Sequence, residues 1–233
     1  MASAVSAEVC GRAGFDWCLV DLEHGLSSEA SLHVELLALE LTGVAALVRV
    51  ESGAPLRVGR ALDHGAAGVM VPRIRSADEA VAAVRSARYP PAGARGVALS
   101  VRGADYGAAV AQDVGVIDAG VTMIVQIEND AALADVEAIA AVDGVDVLFV
   151  GPSDLTHSLA IPGRFDDPRY REALARVARA ARDTGKIAGL MLGSPDEVEP
   201  HRSLGYSFFA LTSDASLLGH AARSALTRMR ASG

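Results

Sequence analysis

Two carboxylates stand at the ends of consecutive apolar segments. Glu128 closes the segment at 123–128, and Asp154 follows the segment at 145–151. Both segments are apolar enough to be buried on both faces, as strands of a parallel sheet are, so packing does not explain an acid at each end. Because the carboxyl ends of neighbouring parallel strands meet at one edge, we expect Glu128 and Asp154 to face one cavity. Together they would hold a hard divalent cation between oxygen ligands.

A second cluster of reactive residues ends an earlier apolar segment, at 17–23. Strand alternation places Asp21 and Glu23 on one face, and His24 begins the loop. A histidine titrates near neutral pH and can take the proton of a hydroxyl group. We interpret His24 as a general base. The alternative is a solvated strand end that carries a surface histidine.

Arg49 and Asp63 come next along the chain. Arg49 lies at the end of the apolar segment 46–50, and a buried guanidinium needs anionic partners. The carboxylates of the site and a bound carboxylate ligand would provide them. Asp63, on the following helix, either orients and charges His24 as the acid of a relay does, or is a plain acid on a helix surface.

The lysine content restricts the possible mechanisms. Lys186 is the only lysine in the chain, and it precedes an apolar segment at 187–192. It is therefore expected at the start of a strand, away from the edge that carries Glu128. A Schiff-base mechanism needs a lysine amine inside the site. Carbon–carbon bond chemistry in this chain would have to use a metal ion instead.

Apolar segments and amphipathic segments alternate along the chain. Strands are predicted at 17–23, 46–50, 68–72, 123–128, 145–151, 186–192 and 206–212. Helices are predicted at 2–13, 28–42, 55–64, 76–88, 130–142, 167–184 and 195–204. This alternation is typical of βαβ units and a parallel sheet.

The pattern predicts an α/β fold of the TIM (β/α)8 barrel type, as a single domain over residues 1–233. A closed barrel of this type needs eight strands, whereas the sequence provides seven, and a helix precedes the first of them. We therefore expect a barrel that lacks the usual first strand. A doubly wound sheet is the alternative, but no Gly-x-Gly-x-x-Gly motif follows a strand to support it.

Composition argues against several other classes of protein. The net charge of −8 and the aromatic content of 4% argue against a nucleic-acid-binding surface. No apolar run approaches the roughly 18 residues of a membrane span, and no signal-peptide pattern opens the chain. Cys10 and Cys18, the only cysteines, lack metal-ligand spacing. We expect reduced thiols and a cytoplasmic protein without nucleic-acid or membrane partners.

Motifs along essentially the whole chain keep a common order and spacing. They are Gly14-Phe15-Asp16-Trp17, Asp21-x-Glu23-His24, Val48-Arg49-Val50, Ala61-Leu62-Asp63-x-Gly65-Ala66, Val71-Pro72, Arg88-Tyr89-Pro90-Pro91-Ala92-Gly93-Ala94-Arg95-Gly96, Gln126-Ile127-Glu128, Gly151-Pro152-Ser153-Asp154-Leu155 and Gly185-Lys186-Ile187-Ala188-Gly189. In these motifs the chain resembles the HpcH/HpaI aldolase family, the metal-dependent class II pyruvate aldolases. Members of that family usually have a strand before the N-terminal helix.

The resemblance implies roles for three residues on the side of the proton transfer and the enolate. His24 resembles the proton acceptor of the family. Arg49 resembles the residue that stabilises the charge of the enolate. Asp63 resembles the aspartate that raises the basicity of the histidine.

The resemblance also implies a metal and substrate site. Glu128 and Asp154 resemble the metal ligands, while Gln126, Ser153 and Asp154 resemble substrate-contacting positions, with Ser153 acting through its backbone N–H. The cofactor implied is a divalent cation, and magnesium, manganese and cobalt all suit two carboxylates with water. The expected assembly is a homo-oligomer, a trimer or a hexamer.

The chemistry implied is cleavage or formation of a 4-hydroxy-2-oxo acid. The products of cleavage are pyruvate, or a close 2-oxo acid, and an aldehyde. One alternative keeps the enolate but changes its fate, as in an oxaloacetate decarboxylase or a citrate-lyase-like carbon–carbon lyase. Another alternative is a catalytically silent barrel that binds a small molecule. The predicted absence of a strand is the reason to consider it.

Overall fold

One parallel sheet of seven strands forms the centre of the protein. The computed structural model describes residues 2–108 and 114–231. In these ranges the strands are β1 (Trp17–Asp21), β2 (Ala45–Arg49), β3 (Gly68–Val71), β4 (Thr122–Ile127), β5 (Val147–Val150), β6 (Ile187–Leu192) and β7 (Tyr206–Leu211). Each strand pairs in parallel with the next, in chain order. The predicted α/β fold with a parallel sheet is confirmed.

Helices connect successive strands and cover the outer face of the sheet. They are α1 (Ala4–Arg12), α2 (Glu29–Glu40), α3 (Pro55–Asp63), α4 (Ala77–Ala87), α5 (Val114–Ala119), α6 (Asp130–Ala134), α7 (Val136–Ala140), α8 (Pro152–Ser158), α9 (Pro168–Asp183), α10 (Val198–Leu204) and α11 (Asp214–Ala231). Short 3₁₀ helices at Arg102–Gly107 and Pro195–Glu197 complete the order. Because each strand is followed by a helix that returns along the sheet, all the carboxyl ends of the strands meet at one edge.

The strands are apolar on both faces because the sheet has a core on each side. In β4, Met123 and Val125 pack into the large core between the sheet and the helices. Ile124, which lies between them, belongs to a second core on the inner face, with Leu47, Met70, Val147 and Phe149. Side chains that alternate between two buried surfaces explain why these segments lack the polar alternation of a half-exposed strand.

The sheet curls, so that its first and last strands approach each other. Trp17 of β1 stacks on Phe208 of β7, with ring centroids 4.3 Å apart and an interplanar angle of 8°. Phe149 meets Phe208 edge to face at 6.3 Å. Among the described residues, however, β1 pairs only with β2 and β7 only with β6. The architecture is a curled seven-stranded half-barrel, which is consistent with a TIM-like fold.

One predicted helix is interrupted. The segment at 130–142 forms two short helices, α6 and α7, instead of one. Asp135 stands at the break, and its carboxylate accepts a hydrogen bond from the N–H of Ala77 at 2.7 Å. That carboxylate satisfies an otherwise free donor at the start of α4. Helical spacing in the sequence does not reveal such a tertiary contact.

The last helix, α11, has exposed apolar side chains. No residue of α11 is buried, and Leu217, Leu218, Leu226 and Met229 are exposed. No helix in the described part of the chain is long and apolar enough to cross a membrane. An exposed apolar helix on a folded domain usually marks a contact surface.

Candidate active site

An ion pair joins the ends of the first two strands. Asp21 and Arg49 are direct partners in the register of β1 and β2. Arg49 donates from Nε to Asp21 Oδ1 at 2.8 Å and from Nη2 to Oδ2 at 2.6 Å, a bidentate arrangement. Burial by itself raises the pKa of Asp21, but the bonds from Arg49 outweigh it and hold that pKa below its ordinary value. Asp21 is therefore an ionised anchor that fixes the plane of the Arg49 guanidinium.

The same anchor shapes the turn that carries the candidate base. Asp21 Oδ1 also accepts the backbone N–H groups of Glu23, at 3.0 Å, and His24, at 3.3 Å. Gly25 is needed here, because a Cβ at that position would lie 2.1 Å from the carbonyl oxygen of Asp21. The His24 side chain is 65% exposed, and its Nε2 lies 3.7 Å from Glu23 Oε2. The imidazole thus stands at the rim of the mouth, where it can exchange protons with a substrate or with water.

Glu23 is a buried carboxylate surrounded by cationic side chains. Its side chain is only 4% exposed. Oε2 lies 3.4 Å from Arg49 Nη1, and Oε1 accepts hydrogen bonds from Arg73 Nε at 2.9 Å and Nη2 at 2.8 Å. Such burial costs free energy unless the charge is paired, and here both oxygens have partners.

Glu128 lies directly after β4 and is also buried. Its Oε1 accepts the backbone N–H of Arg73 at 2.6 Å. Gly151 leaves room for the other oxygen, since a Cβ there would lie 2.8 Å from Glu128 Oε2. Burial raises the pKa of Glu128, and the negative charges of Asp154 and Glu23 add to the rise, against the effect of the Arg73 N–H. The carboxylate is held in an environment that disfavours its charge.

Asp154 and Ser153 lie in the first turn of α8, which follows β5. Both are exposed, and Asp154 is close enough to Glu128 for its charge to affect the pKa of that group. Gly151, at the N-cap, provides no side chain to pair with the first N–H groups of the helix. The turn therefore presents a carboxylate at the mouth, together with backbone donors that no side-chain cap satisfies in the described part of the chain.

Gln126 lies in β4, two residues before Glu128, so strand alternation places it on the same face of the sheet as Glu128. It is 2% exposed, and its Oε1 has no hydrogen-bond partner among the described residues. A buried amide oxygen without a partner costs free energy. This cost is typical of a position that is completed by a ligand or a water molecule.

These residues fit a divalent cation bound by two protein ligands. In the described ranges no group of three or more His, Cys, Asp or Glu side chains could hold a metal ion. Magnesium-type sites commonly use one or two carboxylates and fill the remaining positions with water and substrate oxygens. A cation between Glu128 and Asp154 would offset the burial and the repulsion that together raise the Glu128 pKa, and would leave positions open for a substrate.

Asp63 lies away from the mouth formed by the carboxyl ends of the strands. It ends α3, which runs back from the carboxyl end of β2, so Asp63 is near the start of β3, whereas His24 follows the end of β1. Its Oδ1 accepts a hydrogen bond from the buried Arg95 at 2.8 Å. The fold does not bring Asp63 and His24 of one chain together. Lys186 also lies at this end, with its N–H bound to the carbonyl oxygen of Ala181 at 2.8 Å, as expected for a residue outside the mouth.

Two residues of the mouth were not among the predicted site residues. Glu23 was recognised only as part of an acidic strand end, although the Asp-x-Glu alternation was the available signal. Arg73 carried no signal, because its contact with Glu128 comes from the backbone and its contact with Glu23 spans fifty positions of sequence.

The sequence as a whole matches a known family. A model of the HpcH/HpaI aldolase/citrate lyase family matches residues 1–221. The chain belongs to this family. Membership confirms the resemblance seen in the motifs.

Individual relatives of this family agree with the match. A hydroxypyruvate/pyruvate aldolase of Paraburkholderia phytofirmans is 40% identical over 237 residues, which cover 99% of this chain and 90% of the relative. A 5-keto-4-deoxy-D-glucarate aldolase of Klebsiella pneumoniae is 38% identical over 216 residues, or 92% of this chain and 83% of the relative. A solved HpcH/HpaI aldolase/citrate lyase family protein from Burkholderia cenocepacia superposes with a TM-score of 0.94 at 37% identity, covering 99% of this chain and 91% of that chain. This HpcH/HpaI protein is thus a carbon–carbon lyase, as predicted.

The buried charge of Glu128 predicts a measurable conflict between stability and function. A carboxyl whose pKa is raised by folding stabilises the protein only below its unfolded pKa, and this contribution is lost as the pH rises through the folded pKa. We therefore expect Glu128→Gln to raise the Tm of metal-free protein at neutral pH, at about 2–4 °C per kcal/mol for a domain of this size. The gain should shrink in acid. Thermal unfolding between acidic and neutral pH measures it.

Added Mn²⁺ should reverse the order of the two Tm values, so that the wild type becomes more stable than Glu128→Gln. A ligand present at a concentration of about 100 times its Kd stabilises the folded state by about 2.7 kcal/mol. Mn²⁺ should therefore raise the Tm of the wild type and leave the Tm of Glu128→Gln unchanged. Glu172→Gln, at an exposed position of α9, is the matched control and should respond like the wild type. Equal stabilisation of Glu128→Gln by Mn²⁺ would show that this carboxylate is not a ligand.

Proposed function

We propose that the protein is a metal-dependent class II aldolase. It cleaves or forms 4-hydroxy-2-oxo acids, giving pyruvate or a close 2-oxo acid and an aldehyde. The observation that carries the proposal is the geometry that joins Arg49 to Glu128 at one mouth. Arg49 Nη1 lies 3.4 Å from Glu23 Oε2, and Arg73, which binds the other oxygen of Glu23, donates its backbone N–H to Glu128 at 2.6 Å. Such a mouth has acids for a cation and a fixed cation for an enolate.

Glu128 and Asp154 are the proposed ligands of the metal, with Mg²⁺, Mn²⁺ or Co²⁺ as the ion. When bound, the cation supplies Lewis-acid polarisation of the carboxylate and keto oxygens of the 2-oxo acid. Arg73 keeps the Glu128 carboxylate in one orientation through its N–H. Gly151 keeps side-chain atoms away from the remaining Glu128 oxygen.

Arg49 stabilises the negative charge that develops on the enolate oxygen. Its guanidinium has fixed orientation because Asp21 holds it in a bidentate pair, and a preoriented donor needs no rearrangement as the charge forms. Hydrogen bonding and charge from Asp21 outweigh burial and raise the pKa of Arg49 above its usual value. The group remains a cation throughout the reaction.

His24 takes the proton of the 4-hydroxyl group, directly or through water, as the C3–C4 bond breaks. Its exposed position at the rim of the mouth suits a base that acts on the aldehyde half of the substrate. Gln126 and the N–H of Ser153 contact the other half, the N–H as a donor to the carboxylate of the 2-oxo acid. This division assigns His24 to one side of the breaking bond and Arg49 to the other.

Asp63 can keep its proposed role only between copies of the chain. Because α3 carries it away from its own His24, we infer that it raises the basicity of His24 in a neighbouring copy. Arg95 occupies only Asp63 Oδ1, and the Asp63 side chain is 25% exposed. The second oxygen is therefore available to a group from outside.

This role requires the homo-oligomer that we propose, a trimer or a hexamer. The exposed apolar residues of α11, among them Leu218 and Met229, support assembly of copies. The unpaired edges of β1 and β7 support the further proposal that the barrel lacks one strand between them. A cytoplasmic location also remains a proposal.

A retro-aldol screen tests the function. Purified protein is mixed with a series of 4-hydroxy-2-oxo acids and Mn²⁺, and pyruvate release is measured. We expect release that stops when a chelator is added and returns with Mn²⁺ in excess. Oxaloacetate and a citryl thioester, tested in parallel, distinguish decarboxylation and citrate-lyase-like cleavage. Pyruvate release that persists after the metal is removed would contradict the proposal, as would a borohydride-trapped adduct at Lys186.

His24→Ala should slow aldol cleavage far more than enolate formation. Loss of a general base typically costs about a hundredfold to ten-thousandfold in rate, whereas Arg49 and the ligands act on the pyruvate half and remain in place. The measurement compares aldol cleavage with exchange of the pyruvate methyl protons into deuterated water, at one Mn²⁺ concentration. Equal losses in the two assays would mean that His24 binds substrate or serves both proton transfers.

Mixed oligomers test the inference about Asp63. His24→Ala and Asp63→Ala should each be slow, but oligomers that contain both should regain activity, because a site between them combines an intact His24 with an intact Asp63. His24→Ala mixed with Glu128→Gln is the control and should regain nothing at such a site, since both residues belong to the mouth of one chain. Failure of the first mixture to regain activity would refute a role between copies.

A further inference from the structure

Arg73 connects the two halves of the mouth through two different contacts. It lies two residues after the end of β3, with a φ of 59° in the left-handed region. Residues other than glycine rarely adopt this backbone conformation, although Asn and Asp tolerate it better than the rest. Backbone strain of this kind persists where surrounding contacts fix it, and it is common at functional sites.

The first contact comes from the backbone. The strained conformation directs the Arg73 N–H at Glu128 Oε1, at 2.6 Å. A charge-assisted hydrogen bond of this length is among the strong ones. The direction of this N–H depends on the backbone conformation at residue 73 and does not depend on its side chain.

The second contact comes from the side chain. Arg73 Nε and Nη2 both bind Glu23 Oε1, although the Arg73 side chain is 68% exposed and Glu23 only 4%. Without this pair, Arg49, at 3.4 Å, and His24, at 3.7 Å, would be the only basic side chains beside the buried Glu23 carboxylate in the described part of the chain. Those are the two side chains assigned to the chemistry, and each would be drawn toward Glu23.

We propose that Arg73 is a positioning residue with two separable effects. Its N–H orients Glu128 as a metal ligand, and its guanidinium holds Glu23 so that Arg49 and His24 stay free for the substrate. This inference rests on the proposed function and adds a determinant of the site to it. Hydrogen bonds that orient ligands and catalytic groups typically contribute about tenfold to a hundredfold in metal affinity or activity.

Two substitutions separate the effects. Arg73→Asn removes the guanidinium but tolerates the left-handed backbone, so the N–H stays on Glu128. Arg73→Val removes the guanidinium and also disfavours that backbone, since a β-branched residue with positive φ is a true outlier. Arg73→Lys keeps a cation for Glu23. Arg75→Asn is the matched control, because Arg75 is exposed on the same loop and its side chain has no hydrogen bond or ion pair within residues 2–108 and 114–231.

The Mn²⁺ affinity is measured without substrate, by titration followed with electron paramagnetic resonance. We expect Arg73→Asn, Arg73→Lys and Arg75→Asn to bind Mn²⁺ like the wild type, and Arg73→Val to bind about tenfold to a hundredfold more weakly. Steady-state cleavage is then measured with Mn²⁺ saturating for each variant. Arg73→Asn should lower kcat about tenfold with KM unchanged, Arg73→Lys should recover much of the loss, and Arg75→Asn should have no effect.

Mn²⁺ affinity of Arg73→Val equal to that of Arg73→Asn would overturn the backbone effect. An Arg73→Asn enzyme with wild-type kcat would overturn the side-chain effect. A change in KM alone would indicate instead that Arg73 binds substrate. A wild type that binds Mn²⁺ but cleaves no 2-oxo acid would count against the proposed function and not against the orientation of Glu128, which is measured without substrate.

Discussion

The site depends on the electrostatic balance of four carboxylates gathered at one edge of a parallel sheet. Asp21 ends β1, and Glu23, Glu128 and Asp154 follow strands whose carboxyl ends converge, so the topology that builds the mouth also forces like charges together. Two of these acids, Glu23 and Glu128, are almost fully buried. Buried charges are tolerated only when they are paired or bind a cation. Arg49 and the guanidinium of Arg73 pair with Asp21 and Glu23, whereas the hydrogen bond to Glu128 from the described residues comes from the backbone N–H of Arg73.

This unequal distribution separates structural acids from functional ones. Asp21 has a lowered pKa and a bidentate partner, so it holds β1 and β2 in register and orients Arg49. Glu128 has a raised pKa, with Asp154 as a nearby like charge. A group in that state destabilises the empty protein and gains most when a cation arrives. The difference in environment between two carboxylates at one mouth therefore indicates which one serves the ligand.

Local pattern and topology are enough to predict the sheet and two of the carboxylates at its edge. The seven strands were predicted because each is a short apolar segment flanked by helical ones, and the parallel sheet then brings the ends after β4 and β5 together. The sequence motifs do not predict that Asp63 lies far from the His24 of the same chain, although the length of α3 indicates this separation. Nine residues of helix rise about 13 Å, and α3 runs back toward the start of β3. Arg73 could not be predicted, because the φ of one residue and the direction of its N–H leave no trace in composition or spacing.

The geometry also explains why members of one family can be named for different substrates. The groups proposed for the 2-oxo acid half, Gln126, Glu128 and Arg49, lie on or directly after strands and are buried or half-buried. Their positions are fixed by the sheet, and every substrate of the proposed reaction shares that half. In the proposed reaction the aldehyde half meets the loop of His24, in which Leu26 is 86% exposed. Loops carry variation more easily than strands do, so a rigid sheet edge can keep the bond-breaking chemistry while the loop selects the aldehyde.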